Sequence, residues 1–150
     1  MGEEKTVHAA QSESRYRFSE ETAANELKAL FDYYELDLDE IEDETMRNAI
    51  KQGYDRLIKA VRLGRLTIVT DDKQGIVITQ KLRSSGTEIN YREIDGAAKT
   101  AMAGKKADDH FGKAYACLGH LSGLGESAIK SLKGVDLSLA EVLGLIFLSV

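Results

Sequence analysis

Residues 66–94 read LTIVTDDKQGIVITQKLRSSGTEINYREI, and this stretch decides the fold class. Leu66, Ile68 and the run Ile76 to Ile78 form two short β-branched segments with a period of two. The five-residue loop Asp71-Asp72-Lys73-Gln74-Gly75 lies between them, which is the pattern of a β-hairpin. Ser84-Ser85-Gly86 marks a second turn, and Thr87 to Ile94 reads as a third strand with Ile89 and Tyr91 on one face. The result is a small three-stranded antiparallel β-meander over residues 65–94. Its apolar face needs a cover, and the flanking sequence on both sides has helical period, so helices must provide it. The expected class is α+β, mostly α: an N-terminal helical arm, the meander and a C-terminal helical bundle.

Outward toward the N-terminus, Gly64 is placed to stop a helix of about Asp43 to Leu63. Its apolar stripe is Met46, Ile50, Tyr54, Leu57, Ile58 and Val61. The preceding run ELDLDEIEDE, residues 35–44, links it to an earlier helix. Ser19 caps that helix, Glu20 and Glu21 sit where its dipole favours anions, and Ala23, Leu27, Leu30, Phe31 and Tyr34 form its stripe. Residues 19–64 are thus an acidic two-helix arm. Residues 1–18 are polar without hydrophobic period and are expected to be a disordered tail.

Toward the C-terminus, Asp95 caps a short helix, Gly96 to Met102, and Gly104-Lys105-Lys106 breaks it. Asp108 or Asp109 caps the next helix, with the stripe Phe111, Ala114, Tyr115, Leu118 and Leu121. Ser122-Gly123-Leu124-Gly125 is a tight turn, Glu126 to Leu132 a short helix, and Gly134 its stop. A last helix begins at Asp136 or Ser138 and is apolar on nearly every side. Such a helix is either the centre of a core or covered by another chain. On the second alternative, Leu139, Leu143, Ile146 and Phe147 are the partner-binding patch. Residues 95–150 are expected to pack with the meander as one domain.

Composition bounds the function. A chain of 150 residues with 43% hydrophobic content suits one ordinary domain, or one with an appended arm. Pro is absent, so glycine must supply the punctuation. The lone Cys117 excludes an intramolecular disulfide or a cysteine metal cage and fits a reducing, cytoplasmic setting. Met1 to Arg17 lacks the apolar core of a signal peptide, and the apolar run Leu137 to Val150 is too short to span a membrane. Of the net charge of −5, residues 1–62 carry −6, residues 63–100 carry +1 and residues 101–150 are neutral; no segment is basic enough to bind phosphate backbones on charge alone.

Each chemical motif fails on context. Gly123-x-Gly125-x-x-Ala128 resembles a dinucleotide loop, but a helix precedes it and no βαβ unit can follow. Asp37-x-Asp39-x-Ile41 begins like a calcium loop, yet Ile41, Glu42 and Asn48 stand where a ligand, a glycine and a glutamate are required. His110 and His120 point to different faces of one helix, so no metal site is expected, and no cofactor. No nucleophile motif is present, and the chain is read as non-enzymatic. One alternative is a DNA-binding regulator with a helix-turn-helix at about residues 114–133, whose exposed Ser127, Lys130 and Lys133 would face phosphate; two lysines are thin for that role, and nucleic acid is not the expected partner. A third, distant reading is an enzyme using Asp109, His110 or Cys117, which needs those three to converge in a cleft.

The C-terminal half does match a known style. Two β segments (Ile76 to Leu82 and Thr87 to Ile94) precede a linker helix, Gly96 to Met102. The turn Leu118-Gly119-His120-Leu121-Ser122-Gly123-Leu124 leads to an I-x-x-L helix, Ile129 to Leu132. Asp136-Leu137-Ser138-Leu139-Ala140 then opens a helix that ends Ile146-Phe147-Leu148. Over about residues 76–150 the chain resembles small phage tail assembly chaperones of contractile-tailed phages and Mu-like prophages, with Gly125 where that family has proline. The resemblance implies a non-enzymatic assembly factor in the bacterial host cytoplasm. Its partner would be a tape-measure or tail tube protein held through apolar helical surfaces, with homo-oligomers possible and no membrane involved.

Overall fold

The structure, a computed structural model, describes residues 15–150. Its elements follow in chain order: α1 (Glu20–Tyr33), a 3-10 turn (Leu38–Glu40), α2 (Glu44–Arg62), β1 (Leu66–Asp71), β2 (Gly75–Lys81), β3 (Glu88–Tyr91), α3 (Gly96–Ala101), α4 (His110–Ser122), α5 (Glu126–Lys130) and α6 (Gly134–Leu148). The mostly helical α+β class with a three-stranded antiparallel meander in the order β1-β2-β3 is as expected.

Local chemistry accounts for the element ends. The side chains of Ser19, Asp43, Asp95 and Asp109 each accept a hydrogen bond from a first-turn amide of the helix that follows, at Thr22, Met46, Ala98 and Gly112. The first hairpin loop is shorter than expected, because Asp71 and Gly75 pair as strand residues and leave only three residues to turn. Gly75 takes φ +74°, and Asp71 Oδ1 accepts from the Lys73 amide at 2.7 Å. Ile76, Ile78, Ile89 and Tyr91 lie on the buried face of the sheet, which packs on α1, α2 and α4.

Residues 19–64 do not stand apart as an arm. Ala23, Leu27 and Leu30 of α1 and Ile50, Leu57 and Val61 of α2 are fully buried in the same core as α6. That core explains the apolar last helix: α6 lies against both α2 and α4, which bury most of its apolar side chains, while Val135 stays exposed and Leu137 and Leu148 are half-buried. Two glycines let the backbones approach. A Cβ on Gly53 of α2 would sit 2.5 Å from Val142 Cγ2, and one on Gly144 of α6 would sit 2.5 Å from Ala114 Cβ.

Three expectations are corrected. Arg15 to Phe18 are not free tail: the amides of Arg17 and Phe18 donate to the Arg62 carbonyl at 2.7 and 3.2 Å, satisfying an acceptor that the end of α2 leaves open. Residues 1–14 of the expected tail lie outside the described residues. Phe111 is not on the buried stripe of α4 but half-exposed, stacked on Tyr115. The last helix, α6, begins at Gly134 and not at Asp136 or Ser138; Asp136 is a buried residue of its first turn.

Asp136 instead ties α6 to the sheet. Its Oδ1 accepts from the Arg83 amide at 2.8 Å and its Oδ2 from the Ser84 amide at 3.3 Å. Its carbonyl accepts from Gln80 Nε2 at 2.9 Å, and Gln80 Oε1 accepts from the Tyr91 hydroxyl at 2.8 Å. This buried chain satisfies the polar groups on the inner face of the sheet, as burial demands.

Candidate functional site

The residues singled out from sequence separate into core and surface. Leu139, Leu143, Ile146 and Phe147 are at most 3% exposed, so they form the centre of the fold and not an open binding patch. Ser127, Lys130 and Lys133 are exposed, but α5, the would-be recognition helix, has only five residues, and the geometry lends the DNA reading no support. Asp109, His110 and Cys117 do not converge. Asp109 is spent on its cap, His110 Nε2 meets Asp43 Oδ2 at 3.1 Å, and Cys117 is fully buried. Burial pushes the Cys117 thiol up to about 12. His120 turns elsewhere, to Asp95 at 3.6 Å. Among the described residues no three His, Cys, Asp or Glu side chains cluster as metal ligands, and no helix is long and apolar enough to cross a membrane.

The surface feature that stands out was passed over in the sequence as an acidic linker. Where α1 ends, the Leu36 amide donates to the Phe31 carbonyl at 2.8 Å and the Glu35 amide to the Asp32 carbonyl at 3.1 Å. This pair of bonds is a Schellman motif, whose C′ position normally holds glycine because its φ is positive. Here the position is Glu35, at φ 52°, the one non-glycine residue with positive φ among those described. The turn sends the chain into the 3-10 turn, which Asp37 caps through the Asp39 amide at 2.9 Å.

Two hollows flank this corner and share Glu35, Leu36 and Asp37. The larger, about 760 Å³, has an apolar floor of Ala24, Phe31, Leu38 and Tyr54, with the Phe31 and Tyr54 rings stacked at 6.5 Å. The second, about 470 Å³, continues past Ile41 and Met46 to Leu148. Acidic side chains rim both: Asp32, Glu35, Asp37, Glu40, Glu42 and Asp43. Lys28 pairs with Asp32 at 2.7 Å and His110 with Asp43, whereas Glu35, Glu40 and Glu42 have no ion pair among the described residues. Together they make an apolar trough with a negative border. The trough suits an amphipathic segment whose apolar face is flanked by Lys or Arg. The sequence signal for it was the alternation of Leu36, Leu38 and Ile41 with carboxylates, which a solvated linker does not need. Comparison with protein-family models, with curated proteins and with solved structures finds no match.

Proposed function

We propose that the chain acts by holding a protein partner, as a tail-assembly-type chaperone or adaptor, and that it does so at the acid-rimmed trough between α1 and α2. The observation that carries the reading is Glu35. A residue held at positive φ costs roughly 1–2 kcal/mol when it is not glycine, and here the strained position lies on the rim of an open apolar trough. Strain of this kind collects at binding sites, where the side chain has a use the fold does not. The partner is expected to be helical, with an apolar stripe and basic flanks. By the resemblance it would be a tape-measure or tail tube protein met in the host cytoplasm, and the chain would be non-enzymatic. Covering such a stripe until other subunits replace the cover is the physical content of chaperoning.

Co-expression with the tape-measure protein encoded in the same genome, followed by size-exclusion chromatography, tests the proposal. A soluble complex that Leu38→Lys abolishes and Glu35→Ala weakens is the expected result. A complex indifferent to both substitutions, or none at all, overturns it.

A further inference from the structure

A second cleft, of about 320 Å³, opens where the C-terminal half of α2, the β2–β3 turn and the start of α6 meet. Five cationic side chains line it: Arg15, Arg56, Lys59, Arg65 and Arg83. They come from four separate segments of a chain whose net charge is −5. None of the five has an ion pair among the described residues. The only carboxylate on the wall is Asp136, and both its oxygens are already engaged by the Arg83 and Ser84 amides. Val135 and Asp136 bring the first turn of α6 to the cleft, and that helix has no side-chain cap.

Arg65 is half-buried and the other four residues are exposed, and an anion seated among five like charges would relieve their mutual repulsion. Lys59 is a cation of the last turn of α2, where the helix dipole favours it. That account does not extend to Arg56 one turn earlier, to Arg65 after the helix, to Arg83 in the turn, or to Arg15. Four guanidiniums present forked donors suited to phosphate oxygens, and the number of charges exceeds what one carboxylate would balance. The volume is that of a small-molecule site. We infer that this cleft binds a compact polyanion of the diphosphate class, either free or as the diphosphate group of a small ester. The inference is independent of the partner-holding trough, whose rim is acidic.

Titration of the full chain with inorganic pyrophosphate, followed by amide chemical shifts and calorimetry, tests this. Sodium sulfate at matched ionic strength serves as the screening control. The expected result is saturable binding that shifts the amides of Arg65, Arg83 and Val135. Arg65→Gln with Arg83→Gln should weaken it by about tenfold or more, as loss of charge-assisted hydrogen bonds requires, with an unchanged melting temperature. Lys28→Gln, a cation at the other site, should leave it intact. No saturation by either pyrophosphate or ADP, equal displacement by sulfate, or unchanged affinity in the double variant overturns the inference. So does duplex DNA that binds at these arginines and is not displaced by pyrophosphate. The same binding by ADP but not by pyrophosphate would place the diphosphate group within an ester and support it.

Discussion

Replacing Glu35 by glycine should stabilise the protein while weakening its hold on a partner. Glu35 occupies the C′ position of a complete Schellman motif at φ 52°. A side chain there costs roughly 1–2 kcal/mol against the left-handed backbone. Glycine removes that cost but returns about 0.5–1 kcal/mol through the extra freedom of the unfolded chain. The difference leaves a net gain of about 0.5–1 kcal/mol. For a chain of 150 residues this corresponds to a rise in Tm of about 1–4 °C. Glu35→Ala separates strain from charge, because alanine keeps the Cβ and the strain and loses only the carboxylate. Calorimetric melting of the three proteins reads the first effect, with order Gly above Glu and Ala near Glu. Affinity for a basic-flanked amphipathic peptide reads the second, with Gly and Ala both weaker than Glu. A glycine variant no more stable than the parent refutes the strain argument. Equal peptide affinity in all three removes the functional use of the carboxylate.

Two further outcomes follow from the core. Asp136→Ala leaves the Arg83 and Ser84 amides without their acceptor and should cost about 2–4 kcal/mol, measured by urea unfolding; Gln80→Leu breaks the same buried network at the Asp136 carbonyl, so the double variant should depart from additivity. Burial holds the Cys117 thiol and the Tyr34 hydroxyl each up to about 12 in the folded protein. The unfolded values are about 8.5 and 10, so the unfolded chain releases these protons first and stability must fall as pH rises, by about 1.4 kcal/mol per unit for each group in its window. Unfolding free energies between about pH 8 and pH 11 should show this decline, and Cys117→Ala should flatten its lower part.

Much of this fold was legible because its local signals agree. Ser19, Asp43, Asp95 and Asp109 cap helices as their positions announce, and the period change after Gly64 marks the sheet. The failures have a common cause: they concern what one element does to another. The α6 pattern says apolar on all sides, but whether protein or partner covers it depends on the approach of α2 and α4. The glycines that permit this approach, Gly53 and Gly144, were visible as helix-interior residues that cost about 1 kcal/mol against alanine, and an unexplained cost of that kind points to close packing. Asp136 was read only as a helix start because its partners, 52 and 53 residues away in sequence, lie in a turn that no local rule connects to it. The trough escaped notice because ELDLDEIEDE is read as a solvated linker when only its charge is weighed. Its Leu36, Leu38 and Ile41 line a trough only once α1 and α2 have packed.

The two surface sites share one helix, and that placement bears on whether they can communicate. Tyr54 of α2 lines the floor of the trough and Arg56 lines the basic cleft. Two residues apart, they point about 200° from one another, to opposite faces of the helix. A helix is about 10–12 Å across, more than the screening length of about 8 Å in physiological salt. Charge placed in the cleft therefore acts only weakly at the trough. Any coupling would have to pass through α2, whose buried face of Ile50, Leu57 and Val61 is packed into the common core. Saturating pyrophosphate at 150 mM salt should accordingly change the affinity of the trough for a basic-flanked peptide by less than about twofold, with a larger effect appearing only as salt is lowered. A strong effect that persists at high salt would mean that α2 moves between two arrangements, and the rigid core described above would be the part of the reasoning to give way.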